Sequence, residues 1–179
     1  IETGIMVNSG FLDGLTVKEA KVKIIDWLVE KSNEENDEAC YQLALLVALE
    51  YSMDPTHRNL EPFKDKNSND LLILHIKLLE RAETLGNIRA GFILAEYFED
   101  DFLKKLIYDS SFETYNMRLK RSTIMDNNAK AQLMLAKSYS KDRITPNGIK
   151  APKEDKVMSA FWYAIAAING DADLAFLVP

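Results

Sequence analysis

One cysteine, two histidines, seven glycines and five prolines are all that this 179-residue chain has of those types. Each scarcity excludes something. A lone Cys40 cannot form an internal disulfide, and its apolar run Ala39-Cys40-Tyr41-Gln42-Leu43-Ala44 reads as core rather than as a nucleophile beside a base. His57 and His75 are too far apart in the chain to suggest a metal site, and His75, inside Leu72-Ile73-Leu74-His75-Ile76, is expected to be a satisfied core histidine. Little Gly and Pro leaves little material for long disordered linkers. No stretch approaches the roughly 18 apolar residues that span a bilayer. There is no Gly-rich phosphate loop, no His-Glu-x-x-His and no Cys-x-x-Cys. The acidic pairs Glu34-Glu35 and Asp100-Asp101 sit at turns, where solvation or capping is expected rather than acid–base work. The sequence therefore predicts no enzyme activity, no catalytic residue, no metal and no cofactor.

What is present is an apolar fraction of 47% and a charged fraction of 28%, ordinary for a globular chain. The net charge of −6 is uneven. Residues 1–100 carry 10 basic and 19 acidic side chains, whereas residues 101–156 carry 12 basic and 7 acidic. The acidic first part argues against general nucleic-acid binding, and the basic stretch is either a solvated face or a surface for an acidic partner. The chain opens at Ile1 rather than Met and stops at Pro179 inside a repeat, as expected of a trimmed, processed or internal piece. No signal peptide is visible. A cytoplasmic location is slightly favoured, with a processed secreted form as the alternative.

Most segments have helical periodicity. Residues 17–31 place Ala20, Ile24, Trp27 and Leu28 on one stripe, and Thr16 with Glu19 forms a capping-box pattern. Further helices are expected over 38–53 (before Pro55), 71–85 (capped by Asp70, ended by Gly86), 88–99, 113–125, 129–140, 154–168 and 171–177. Residues 100–111 fit one to two turns of extra helix. Two loops, 54–69 and 141–152, are long for a compact domain. Residues 1–16 read as an extended or irregular arm, with Ile5-Met6-Val7 followed by a turn at Asn8-Ser9-Gly10.

Self-similarity decides the architecture. Leu85-Gly86-Asn87-Ile88-Arg89-Ala90 and the following Leu94-Ala95 match Asp126-Asn127-Asn128-Ala129-Lys130-Ala131 and Leu135-Ala136 at an offset of 41 residues. Asn169-Gly170-Asp171-Ala172 repeats the turn 43 residues beyond Asn127, and Glu35-Asn36-Asp37-Glu38-Ala39 with Leu43-Ala44 precedes the Gly86 turn by 51. The unit is a helix, a tight Gly/Asn turn, and a second helix that starts with small residues. Each hairpin leaves an apolar side that the next one covers, which makes a solenoid. The predicted fold is all-α, an α-α hairpin solenoid of three to four hairpins over 17–179 behind the 1–16 arm.

The pattern resembles the Sel1-like repeats, relatives of the tetratricopeptide repeats. Leu85-Gly86-Asn87 with Ala90 and Leu94-Ala95, then Asn128-Ala129-Lys130-Ala131-Gln132 with Leu135-Ala136 and Tyr139, carry the resemblance, and Trp162-Tyr163-Ala164-Ile165-Ala166-Ala167-Ile168-Asn169-Gly170-Asp171-Ala172 is the closest copy. Ala95 and Ala136 stand where the repeat usually has glycine, and the spacings exceed the usual unit of about 36 residues. The resemblance implies an adaptor that holds a protein or peptide segment. Position on the first helices of the hairpins nominates the contacts: His75, Lys77 and Arg81 in one unit, Arg118 and Arg121 in the next, and Trp162 in the last. A structural subunit of a larger assembly is a second expectation.

Residues 1–31 are similar to a stretch of leucyl-tRNA synthetases. The match runs through Thr3-Gly4-Ile5-Met6-Val7-Asn8-Ser9-Gly10-Phe11-Leu12-Asp13-Gly14-Leu15, Glu19-Ala20 and Ile24-Ile25-Asp26-Trp27-Leu28. That resemblance implies a fragment or relic of an aminoacyl-tRNA ligase, but the chain has neither a Lys-Met-Ser-Lys-Ser nor a His-x-Gly-His signature, so no catalytic residue is carried over.

Overall fold

A computed structural model describes residues 13–53, 63–140 and 155–170. Among these residues there is no β-strand. The elements are α1 (Val17–Asn33), α2 (Asp37–Ser52), α3 (Ser68–Thr84), α4 (Ile88–Phe98), a 3-10 turn (Leu103–Leu106), α5 (Phe112–Met125), α6 (Ala129–Tyr139) and α7 (Lys156–Ile168). The expected arm at 5–10, the loop at 141–152 and the helix at 171–177 lie outside the described residues, as does 54–62 of the first loop.

Three tight turns close three hairpins: α1/α2, α3/α4 and α5/α6. In each, one residue adopts a left-handed backbone: Glu35 (φ 62°), Gly86 (φ 113°) and Asn127 (φ 49°), and Gly170 (φ 110°) does the same after α7. These four positions have the 51-, 41- and 43-residue offsets of the sequence repeat. The residue after each of the first three is asparagine. Asn36, Asn87 and Asn128 each accept a hydrogen bond on the side-chain oxygen from the backbone N–H three residues on, that of Ala39, Ala90 and Ala131, at 2.8, 3.0 and 3.0 Å. At the second turn the Gly86 N–H donates to Glu83 O and the Asn87 N–H to Ala82 O, both at 2.9 Å, which satisfies two carbonyls at the end of α3. One turn thus ends a helix and starts the next.

The alanines so placed are buried, and the Leu-Ala pairs one turn later (Leu43-Ala44, Leu94-Ala95, Leu135-Ala136) are buried with them. Small side chains at the start of each second helix let it approach the first. Substantial helix contacts run only between chain neighbours, from α1·α2 through to α6·α7, so the hairpins stack in sequence order. Two apolar clusters result. The first joins α1–α4; the second joins α4–α6 and takes in Trp162 of α7. The short α4 serves both, with Ala90 and Leu94 in the first cluster and Ala95 and Phe98 in the second. The architecture is all-α with stacked helix hairpins, a helical-repeat arrangement.

Several boundaries differ from expectation. α3 begins a turn earlier than Asp70 implied. Asn67 is the cap, its Oδ1 accepting from the Asp70 N–H at 2.9 Å, while its Nδ2 donates to Asp70 Oδ2 at 2.7 Å. Asp70 instead occupies the first turn, where a carboxylate favours the helix dipole. The loop before α3 is correspondingly shorter, and buried Phe63 anchors its end. The extra helix after α4 is a single 3-10 turn, capped at its start by Asp100 Oδ1, which accepts from the N–H groups of Phe102 and Leu103.

Removing the caps should separate the turns by their surroundings. Asn87 is buried and its Nδ2 also donates to Asp37 Oδ2 and Glu38 Oε2 of the preceding hairpin, each at 3.2 Å, whereas Asn128 makes the cap bond alone. Chemical denaturation should therefore show Asn87→Ala costing about 2 kcal/mol and Asn128→Ala about 1 kcal/mol. Equal losses would remove the inter-hairpin role of Asn87.

Candidate functional site

α5 is apolar on two sides. Its core side carries Phe112, Tyr115 and Leu119, with Tyr115 stacked on Phe98 at 4.6 Å between ring centres. On the opposite side, Met117, Ile124 and Met125 are 49%, 72% and 68% exposed. They line an open groove of about 1040 Å3 together with Ile88, Asn116, Lys120 and Arg121. At about 100° per residue, Glu113, Met117, Lys120 and Ile124 fall on one stripe, and Arg121 and Met125 flank it. Lys120 and Arg121 are exposed and form no ion pair among the described residues.

The buried cation of the same helix behaves differently. Arg118 is 4% exposed and grips Glu83 of α3 through two parallel bonds, Nε to Oε1 at 2.8 Å and Nη2 to Oε2 at 2.7 Å, while Nη1 reaches Asp109 O at 3.3 Å. Room for the Glu83 carboxylate exists because residue 91 is glycine: a Cβ there would lie 3.0 Å from Oε1. Asp109, which steers the chain into α5, is held below the usual carboxylate range by the hydroxyl of Thr114 and the Ser111 backbone N–H.

The six nominated contacts thus divide. Lys77, Arg81 and Arg121 are exposed, and only Arg121 lines the α5 groove. Arg118 is a clamp between hairpins. His75 is buried, with Nδ1 2.8 Å from Ala44 O and Nε2 2.8 Å from Tyr97 Oη, so one imidazole joins α2, α3 and α4. Trp162 is half-buried against the second cluster, and its buried indole N–H has no acceptor among the described residues. Of the three neighbouring aromatics of α7, Trp162 and Tyr163 are half-buried and Phe161 is exposed, at 50%, in edge contact with Trp162. Met117, Ile124 and Met125 were not nominated. Their signal was available as apolar residues seven and eight apart on the side of α5 away from Tyr115 and Leu119.

Among the described residues no group of three His, Cys, Asp or Glu side chains could hold a metal ion, and no helix is long and apolar enough to cross a membrane. The Cys40 thiol is buried and pushed above its ordinary range by that burial. No family model matches the chain.

Burial also pushes the His75 pKa below its ordinary value, opposed by the Ala44 carbonyl. The neutral ring donates one N–H to that carbonyl and can accept the Tyr97 hydroxyl on the other nitrogen. The unfolded chain binds the proton more readily, so this contribution to stability is complete above the unfolded pKa of about 6.5 and is lost as pH falls from there through the folded value. The urea midpoint of the unaltered chain should fall more between pH 7.5 and 5.5 than that of His75→Gln. His57 is common to both proteins and cancels. Parallel pH profiles would contradict the assignment.

Proposed function

We propose that the chain is a non-catalytic scaffold of Sel1-like, tetratricopeptide-related hairpins that binds a segment of another protein. The observation that carries this reading is the second apolar side of α5. A helix with large apolar side chains on its solvent side, held rigid by a core on the other, is the usual construction of a surface that docks a peptide. Phe161 and Trp162 on α7 and the exposed Lys77 and Arg81 on α3 are further candidate contacts. His75 and Arg118 support it from within by fixing one hairpin against the next. The synthetase-like residues 3–12 fall outside the described structure, and no observation favours the ligase reading.

Selection of a random 12-residue peptide library against the whole chain tests the scaffold reading. It should enrich a recurring motif, and the synthetic consensus peptide should bind in solution. Calorimetric titration with ATP and leucine should give no heat of binding. Enrichment of no motif, or binding of ATP with leucine, would contradict it.

A further inference from the structure

Aligning the hairpins on their left-handed residues exposes a difference between them. With Gly86 set on Asn127, Leu72, Ile76 and Leu79 of α3 correspond to Glu113, Met117 and Lys120 of α5. The three α3 residues are buried in the cluster that α3 shares with α1 and α2. Their three α5 counterparts are exposed. The side that one hairpin uses for stacking is therefore uncovered in the next. It keeps an apolar anchor at Met117 and gains a second at Ile124, where α3 has Glu83, while charge replaces Leu72 and Leu79 at Glu113 and Lys120.

The charge indicates what covers it. Arg89, Arg118 and Lys130 are each paired with a carboxylate of another helix: Glu38, Glu83 and Glu96. Lys120 and Arg121 have no such partner among the described residues, and a single carboxylate, Glu113, lines the same groove. They point into the groove beside Met117, Ile124 and Met125. The spacing supports a helical occupant: Met117 and Ile124 are seven residues apart, about 10 Å along the axis, the repeat at which a second helix laid on α5 presents its own i and i+7 side chains.

From these placements we infer that the α5 groove takes an acidic amphipathic helix of a partner protein, its apolar stripe on Met117, Ile124 and Met125 and its carboxylates on Lys120 and Arg121. This inference rests on the scaffold reading and narrows it to one face and one partner chemistry. The carboxylates set orientation and speed encounter, and the apolar stripe supplies most of the affinity.

Two fluorescein-labelled 18-residue peptides are the probes. Both carry leucine at i, i+3, i+4 and i+7 spacing; one has glutamate and the other lysine at the remaining charged positions. Titrated with the whole chain, the glutamate peptide should bind at least about ten-fold more tightly than the lysine peptide. The double variant Lys120→Glu/Arg121→Glu should abolish or reverse that preference. Met117→Ser/Ile124→Ser should weaken both peptides, while Lys21→Glu on α1 should leave both unchanged. All five substituted positions are exposed, and an unchanged circular dichroism spectrum verifies the fold. If the preference survives charge reversal at Lys120 and Arg121, or disappears with Lys77→Glu/Arg81→Glu instead, the α5 assignment is overturned while the scaffold reading stands. Binding of neither peptide overturns the acidic-helix assignment. Failure of library selection as well would remove the scaffold reading beneath it.

Discussion

Everything in this architecture depends on a two-residue device: a left-handed residue that ends one helix and an asparagine that caps the next. Glu35-Asn36, Gly86-Asn87 and Asn127-Asn128 perform the same two tasks with different residues in the first place. A left-handed backbone costs an ordinary L-residue about 1–2 kcal/mol, so Glu35 carries a cost that Gly86 does not. The device fixes the angle at which the second helix leaves. That angle brings Ala39, Ala90 and Ala131 against the preceding helix, and the Leu-Ala pairs follow by helical periodicity.

The hairpins are then joined by polar bonds that are individually few and mostly buried. Asn87 ties the second turn to Asp37 and Glu38 of the first hairpin, and His75 ties α3 to Ala44 and Tyr97. Arg118 and Glu83 tie the third hairpin to the second, and Asn169 Nδ2 donates to Asn127 Oδ1 at 2.8 Å and Gln132 Oε1 at 3.0 Å. Removing one member of a buried ion pair costs about 3–5 kcal/mol, against about 1 kcal/mol for a helix cap. The Arg118–Glu83 clamp therefore outweighs any one turn in holding its two hairpins in register. The clamp spares the outer side of α5 from packing duty: with Arg118, Tyr115 and Leu119 facing inward, Met117, Lys120 and Ile124 are left to face a partner.

Much of this was legible in the sequence, because the turns carry it. The offsets between Glu35, Gly86, Asn127 and Gly170 read from the chain are those of the left-handed residues in the structure. The cap of α3 was misplaced because Asn67, Asn69 and Asp70 are all good capping residues, and local propensity does not choose among them. The surface residues were harder. His75, Lys77, Arg81, Arg118 and Arg121 look alike as polar residues on helices that open a hairpin. Which of them is buried depends on a rotation of each helix that only its long-range partners set: Arg118 turns inward because Glu83, 35 residues earlier, awaits it beside Gly91. The α5 groove escaped for the same reason, since only the placement of Tyr115 and Leu119 on the core side shows that Met117 and Ile124 face away from it.

Solution NMR of the isotopically labelled chain tests the central claim most directly. Backbone couplings and carbon shifts should report a left-handed conformation at Glu35, Gly86 and Asn127, with the amide protons of Ala39, Ala90 and Ala131 protected from exchange. Helical shifts running unbroken through these positions, or rapid exchange of the three alanine amides, would contradict a fold built on capped left-handed turns.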